Sequence, residues 1–105
     1  REIGNRREEG RDLSNIANAC RDLGQPKLAL VFYEASLPLL EETNDQRGFA
    51  FVSWSLGLVY AELQDFKQAI PLMQKCVDYE MEIKHPQAES DALILNELKS
   101  TLNAT

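Results

Sequence analysis

The sequence predicts an all-α fold of antiparallel helix-turn-helix units, about five helices in a row, and three observations carry that prediction. The first is a near-repeat every 40 residues. Ile16-Ala17-(x2)-Cys20 returns as Leu56-Gly57-(x2)-Tyr60, Lys27-(x)-Ala29-Leu30 returns as Lys67-(x)-Ala69-Ile70, and Glu2, Glu42 and Glu82 fall in step. A period of roughly 20–50 residues marks stacked supersecondary units, none of which buries its apolar face alone. The second is apolar spacing at three and four residues, with no alternating run long enough for a strand. The third is punctuation by Gly, Pro, Asn and Asp between those runs.

Taken in order, the first helix is expected from about Arg6 to Leu23, with Asn5 as N-cap and Glu8 completing a capping box. Its stripe is Leu13, Ile16, Ala17, Cys20 and Leu23, one helical face. Gly24 ends it, and Pro26 suits the first turn of the second helix. That helix carries Leu28, Phe32, Ala35 and Leu39 on one line and Ala29, Tyr33, Ser36 and Leu40 on its neighbour. Thr43-Asn44-Asp45 breaks it, and Asp45 caps a third helix from about Gln46 to Leu63. Asp65 with Gln68 opens the fourth, to about Ile83. His85-Pro86 stops that one, because a residue before proline is pushed out of the α region. The fifth follows from Pro86 to about Leu102. Pro38 and Pro71 fall inside helices, where the resuming pattern predicts kinks rather than breaks.

Composition excludes several function classes. The 105 residues, 44% hydrophobic and 27% charged, make one ordinary globular domain. No run of 18 apolar residues and no signal-peptide pattern is present, so no membrane association is expected. Residues 1–27 hold six Lys/Arg against five Asp/Glu, whereas residues 28–105 hold five against twelve. An acidic body of this kind repels phosphate backbones, so nucleic acid is not an expected partner. Cys20 and Cys76 stand in different units without CxxC spacing, which predicts two reduced thiols and a cytoplasmic setting.

Leu56-Gly57-(x2)-Tyr60, with Ala69 twelve residues after the glycine and Met73 four further on, resembles the tetratricopeptide repeat, whose pattern is W-x2-L-G-x2-Y followed by A-x3-F. Gly57 lets the fourth helix approach the third, Ala69 is the small partner facing it, and Tyr60 and Met73 fill the space beside them. In the first unit Ile16, Ala17, Cys20, Ala29 and Tyr33 play those packing parts. Trp54 stands one residue late, with Ser53 in the family tryptophan's place. The 40-residue unit is similar to the lengthened repeats of kinesin light chains, of Leu-Gly-Asn-type adaptors and of sensor arms on bacterial signalling ATPases. The resemblance implies a right-handed solenoid: residues 1–4 end a preceding unit, 5–44 and 45–84 form two units, and 85–105 form a capping helix. The chain thus reads as a fragment of a longer array. Within residues 85–105 a 39-residue shift aligns Leu95, Leu98 and Leu102 with Leu56, Val59 and Leu63, and the position where a following helix would need a small residue becomes Asn96, or Glu97 at a shift of 40.

The resemblance also implies that the first, third and fifth helices line a concave inner face. On the third helix Val52, Leu56, Val59/Tyr60 and Leu63 form the packing stripe, while Phe51, Trp54, Leu58 and Ala61 form a second apolar line. A helix apolar nearly all round must be covered on both sides. That second line either packs against neighbouring helices or makes an open apolar floor for a partner. Arg11, Asn15, Asn18 and Arg21 lie along one face of the first helix, either solvated or placed to grip peptide carbonyls or a carboxylate. Ile94 and Leu98 would extend the floor. The two-basic, asparagine-rich carboxylate clamp of chaperone-binding relatives is absent, since Trp54, Leu58 and Leu98 occupy the corresponding positions.

No catalytic constellation assembles. The single histidine, His85, sits in an interhelix corner and reads as a cap or a solvent-facing residue, not a base or ligand. Glu41, Glu42, Asp45, Glu80 and Glu82 are helix-end carboxylates, expected to be solvated or capping, with no His/Cys set to bind a metal. No glycine loop cradles phosphate, and the sequon Asn103-Ala104-Thr105 reads as chance. The expectation is a non-catalytic module without cofactors that binds a protein or peptide. A sensor arm of a multidomain signalling ATPase and a self-associating spacer are the alternatives.

Overall fold

The computed structural model describes residues 3–104, so Arg1, Glu2 of the 40-residue series and Thr105 of the sequon lie outside the described residues. Five helices follow one another: α1 (Ile3–Asp22), α2 (Pro26–Glu42), α3 (Gln46–Glu62), α4 (Phe66–Glu82) and α5 (Ala88–Ala104). They pack in sequence as antiparallel pairs, α1 on α2 and α3 on α4, with α2 against α3 and α4 against α5. The all-α expectation holds.

A finer period lies inside the 40-residue one. Gly24, Asn44, Gln64 and Lys84 all have left-handed φ, at 75°, 56°, 66° and 57°. After each, an N–H closes onto the carbonyl five residues back: Gln25 on Cys20 at 2.9 Å, Asp45 on Leu40 at 2.9 Å, Asp65 on Tyr60 at 2.8 Å and His85 on Glu80 at 2.8 Å. This is the Schellman ending, used four times. Because α2, α3 and α4 are each 17 residues long, the turns recur at equal steps and keep successive helix faces aligned. Only the first turn uses glycine, the residue that adopts this conformation without a steric cost.

Caps follow the expected pattern at two sites. Asp45 accepts from the Gly48 N–H at 3.1 Å, and Asp65 accepts from the Gln68 N–H at 3.4 Å and from its side-chain amide at 2.7 Å. Asn5 is a correction: α1 runs through it to Ile3, so it is a helix residue and not a cap. An asparagine opposes a helix interior only weakly, by less than about 0.7 kcal/mol. The fifth helix also starts later than expected, at Ala88, because Pro86 and Gln87 form a turn in which His85 Nδ1 accepts from the Gln87 N–H at 3.0 Å. Both α2 and α4 continue through their interior prolines.

The core runs through the middle of the stack. Ala17, Ala29, Tyr33, Leu40, Ala69 and Met73 are all fully buried, with Leu56 and Val59 beside them. At Gly57 a β-carbon would stand 3.1 Å from the Ala69 carbonyl oxygen and overlap Met73 Cγ. The small pair therefore sits where α3 and α4 nearly touch, as its spacing predicts. A second close approach was not foreseen. At Gly10 a β-carbon would meet Leu40 Cδ2 at 3.0 Å, and Ser36 Oγ donates to the Gly10 carbonyl at 2.6 Å.

One packing expectation fails. Ile16 is 44% exposed, while Leu56, its counterpart 40 residues on, is 2% exposed. The face carrying Leu56 is covered by α2, whereas no helix among the described residues covers the same face of α1. Cys20 is half-buried for the same reason, while Tyr60 in its place is buried and donates to Glu34 Oε2 at 3.1 Å.

Two substitutions test this architecture by urea denaturation. Gly57→Ala gains up to about 1 kcal/mol of helix propensity but forces a clash against a fixed carbonyl that costs about 1–3 kcal/mol, so a net loss of stability is expected. Gln64→Gly relieves a left-handed side chain, worth about 1–2 kcal/mol, against a larger unfolded-state entropy, and is expected to raise stability by up to about 1 kcal/mol.

Candidate functional site

Helix α3 is nearly surrounded. Val52, Ser53, Ser55, Leu56, Gly57, Val59 and Tyr60 are all buried. Of the second apolar line, Trp54, Leu58 and Ala61 are half-buried against the core, while Phe51 is 55% exposed. Ser53 takes the buried place and Trp54 is turned toward a cleft. Phe51 forms a ridge between two such clefts, one on the α1 side of about 400 Å³ and one bounded by α4 and α5 of about 680 Å³.

The polar row of α1 is largely committed within the molecule. Arg11 Nε donates to Asp45 Oδ2 at 2.9 Å, and Arg21 donates to Glu62 Oε1 at 2.5 Å from Nη2 and 3.1 Å from Nε. The Asn18 carbonyl oxygen accepts from the Tyr33 hydroxyl. Arg11 and Arg21 thus tie the first unit to the second, while Arg6 donates to Glu42 Oε2 at 2.5 Å within the first. Asn15 is exposed at the α1-side cleft. On α5, Leu98 is half-buried against the core, and Ile94 is exposed.

The two clefts are copies of one corner. The first is lined by Arg11, Ser14, Leu40, Arg47 and Phe51. The second presents, 40 residues on, Phe51, Trp54, Glu80, Gln87 and Asp91. Their electrostatics differ sharply. In the first, burial raises the Asp45 carboxyl, but hydrogen bonds from Arg11 and the Gly48 N–H outweigh it and hold Asp45 below the usual carboxylate range. In the second, Phe51 replaces that arginine.

Glu80 is the residue the sequence reading misplaced. It was expected at a solvated helix end, yet it is 8% exposed, and its Oε1 is buried without a hydrogen-bond partner. Burial, followed by the neighbouring carboxyl of Asp91, pushes Glu80 up to about 7. Burial and then Glu80 itself push the Cys76 thiol up to about 12. One ligand atom each from Cys76, Glu80 and Asp91 lies within 4.8 Å of the others. His85 Nδ1 is 3.8 Å from Glu80 Oε2. The turn brings Asp91 here from the start of α5, which no spacing on α4 could reveal. One signal was available: Glu80 stands where the first unit has the fully buried Leu40.

The consequence for pH follows from linkage. The folded state holds the Glu80 proton more tightly than the unfolded chain, whose ordinary value is 4.5. Its stabilising effect is therefore complete below about 4.5 and is lost as pH rises through about 7. Asp45 acts in the opposite sense and only at lower pH. Around Glu80 the other titratable or charged groups at the cleft are Arg47, Cys76, Tyr79, His85 and Asp91. In chelator-treated protein, urea titrations are expected to show stability falling across that window. Glu80→Leu should flatten the slope and raise stability above about pH 8 by about 1–3 kcal/mol, the usual penalty of an unsatisfied buried polar group.

The tetratricopeptide-repeat sequence profile matches residues 11–79, more than half of the chain and spanning the Gly57–Ala69 contact and the equivalent Ala17 and Ala29. No curated protein matches the chain. Repeats of this kind are typically non-catalytic and generally bind other proteins. No described helix is long and apolar enough to cross a membrane. Sequential antiparallel helix pairs, small residues at the helix contacts and the profile match agree: the chain belongs to the tetratricopeptide-repeat family.

Proposed function

We propose that this chain is a cytoplasmic protein-recognition module, built of units 5–44 and 45–84 with 85–105 as a capping helix, that receives a peptide or partner protein along the face of α1, α3 and α5. One observation supports this above the rest. Phe51 and Trp54 wall a half-open cleft at the middle of the stack, where α3 is held on both sides. An aromatic anchor in a rigid, partly desolvated site is the usual centre of a binding hot spot. Asn15 and the arginine row of α1 supply the polar rim, with Arg21 able to exchange its surface ion pair to Glu62 for a ligand at little cost, while Arg11 stays held by the buried Asp45. Leu58, Ile94 and Leu98 extend the apolar floor.

A second reading, self-association, is favoured by a separate observation. Leu93 on α5 is 66% exposed and Ile94 lies beside it, while Ile16 on α1 and Leu23 just after it are exposed. Such faces suit stacking against further units or a second copy.

Trp54 is the only tryptophan, so its fluorescence reports directly on the cleft. Peptides selected from a random library on the native chain are expected to shift its emission to the blue. They should also bind Trp54→Ala at least about tenfold more weakly, a loss of about 1.4 kcal/mol. The same substitution should lower stability by about 1–2 kcal/mol, below the cost for a fully buried tryptophan. Selected peptides that bind both proteins equally and leave the emission unchanged would refute the Trp54 site. Concentration-dependent light scattering that is abolished by Ile94→Lys would favour self-association.

A further inference from the structure

The corner between α3, α4 and α5 carries chemistry that its copy in the first unit lacks. Forty residues apart, Ser36 becomes Cys76, Leu40 becomes Glu80 and Phe51 becomes Asp91. The fold makes the first corner with a leucine that is fully buried, so a carboxylate there is not needed for packing. Burying an unpaired one is costly.

Nor does a Lys or Arg among the described residues meet this carboxyl pair. In the first corner Asp45 is met by Arg11 at 2.9 Å. In the second, Arg11's place is taken by Phe51, and no Lys or Arg is ion-paired with Glu80 or Asp91 among the described residues. Glu80 lines the cleft, and its Oε1 is buried and unpartnered. A thiol and two carboxylates converging to within 4.8 Å, one oxygen lacking any donor, form a site that wants a small cation.

We propose that Cys76, Glu80 and Asp91 bind a zinc-type divalent cation, with a fourth coordination position open to the cleft beside Trp54. The donor set selects the metal. A sulfur ligand disfavours calcium and magnesium, which take oxygen. Tetrahedral zinc, with bonds of about 2.0–2.3 Å, sets its ligand atoms roughly 3.5 Å apart, so small side-chain rotations close the site. As the metal binds, the Cys76 proton, and the proton of Glu80 where it is still held, leave to the buffer. His85, 3.8 Å from Glu80, is an outer neighbour, its Nδ1 already accepting from the Gln87 N–H. Three protein ligands and one open position are the arrangement of a metal that still accepts water or an incoming group.

Cobalt(II) is the probe, because it reports both thiolate ligation and tetrahedral geometry by absorption. Added to the chain without any partner, it is expected to give a one-to-one thiolate-to-cobalt charge-transfer band with tetrahedral d–d bands. Zinc should displace both. Cys76→Ser removes the charge-transfer band, Cys20→Ser leaves it intact, and Asp91→Asn weakens binding by about tenfold or more. Glu80→Leu abolishes the spectrum while circular dichroism shows the helices retained, since Leu40 already occupies that seat in the first unit. No band in the native chain, a band that survives Glu80→Leu or Asp91→Asn undiminished, or one lost with Cys20→Ser would overturn the assignment. Because no partner enters the experiment, its failure leaves the recognition reading untouched.

Discussion

At Gly57 the backbones of α3 and α4 come so close that a single added carbon would press on the Ala69 carbonyl and overlap Met73. This contact sets the separation of the helix pair, and much else follows from it. With the backbones that near, Met73 and Tyr60 close the space on either side, and Leu56 is left pointing back at α2. The same Schellman turn then ends each of the first four helices. Equal helix lengths keep the small residues of one unit in step with those of the next.

Within that frame the two corners show how a repeated scaffold diversifies. Leu40 and Glu80 occupy the same seat, one closing the core and the other carrying a carboxyl whose proton is lost only near neutral pH. Arg11 and Phe51 likewise share a seat, one bonded to Asp45 and the other forming the ridge between clefts. The scaffold tolerates both sets because the Gly57–Ala69 contact and the fully buried Ala17 and Ala29 lie elsewhere. Stability and chemistry thus reside on different turns of the same helices.

The helices and the glycine contact were legible because they depend on short-range spacing: three and four residues along a face, and the Gly57-to-Ala69 interval across a hairpin. The 20-residue turn period escaped notice because three of its four left-handed residues, Asn44, Gln64 and Lys84, are not glycine. The commitment of Arg11 and Arg21 to Asp45 and Glu62 was hidden because it joins α1 to the third helix or its cap, across an intervening helix. Glu80 was misread for a related reason. On α4 alone it looks like a helix-end acid, and only the arrival of α5 buries it beside Asp91. Aligning the units seat by seat, and asking where a leucine became a glutamate, would have exposed it.

The same comparison of seats measures what a neighbour contributes. Ile16 and Leu56 hold one position in successive units, and covering that position by the preceding helix removes nearly all of its exposure. Fully burying a side chain of this size is worth about 1.5–3 kcal/mol, so one covered seat contributes a good part of what holds a unit in the stack. Exposed Leu23 just after α1 and exposed Leu93 and Ile94 on α5 lack that cover. The outer helices are therefore held on one side only, and α3 and α4 on both. Side chains that must keep a fixed geometry to recognise a ligand are best placed on the doubly held helices. Phe51, Trp54, Cys76 and Glu80 all stand there.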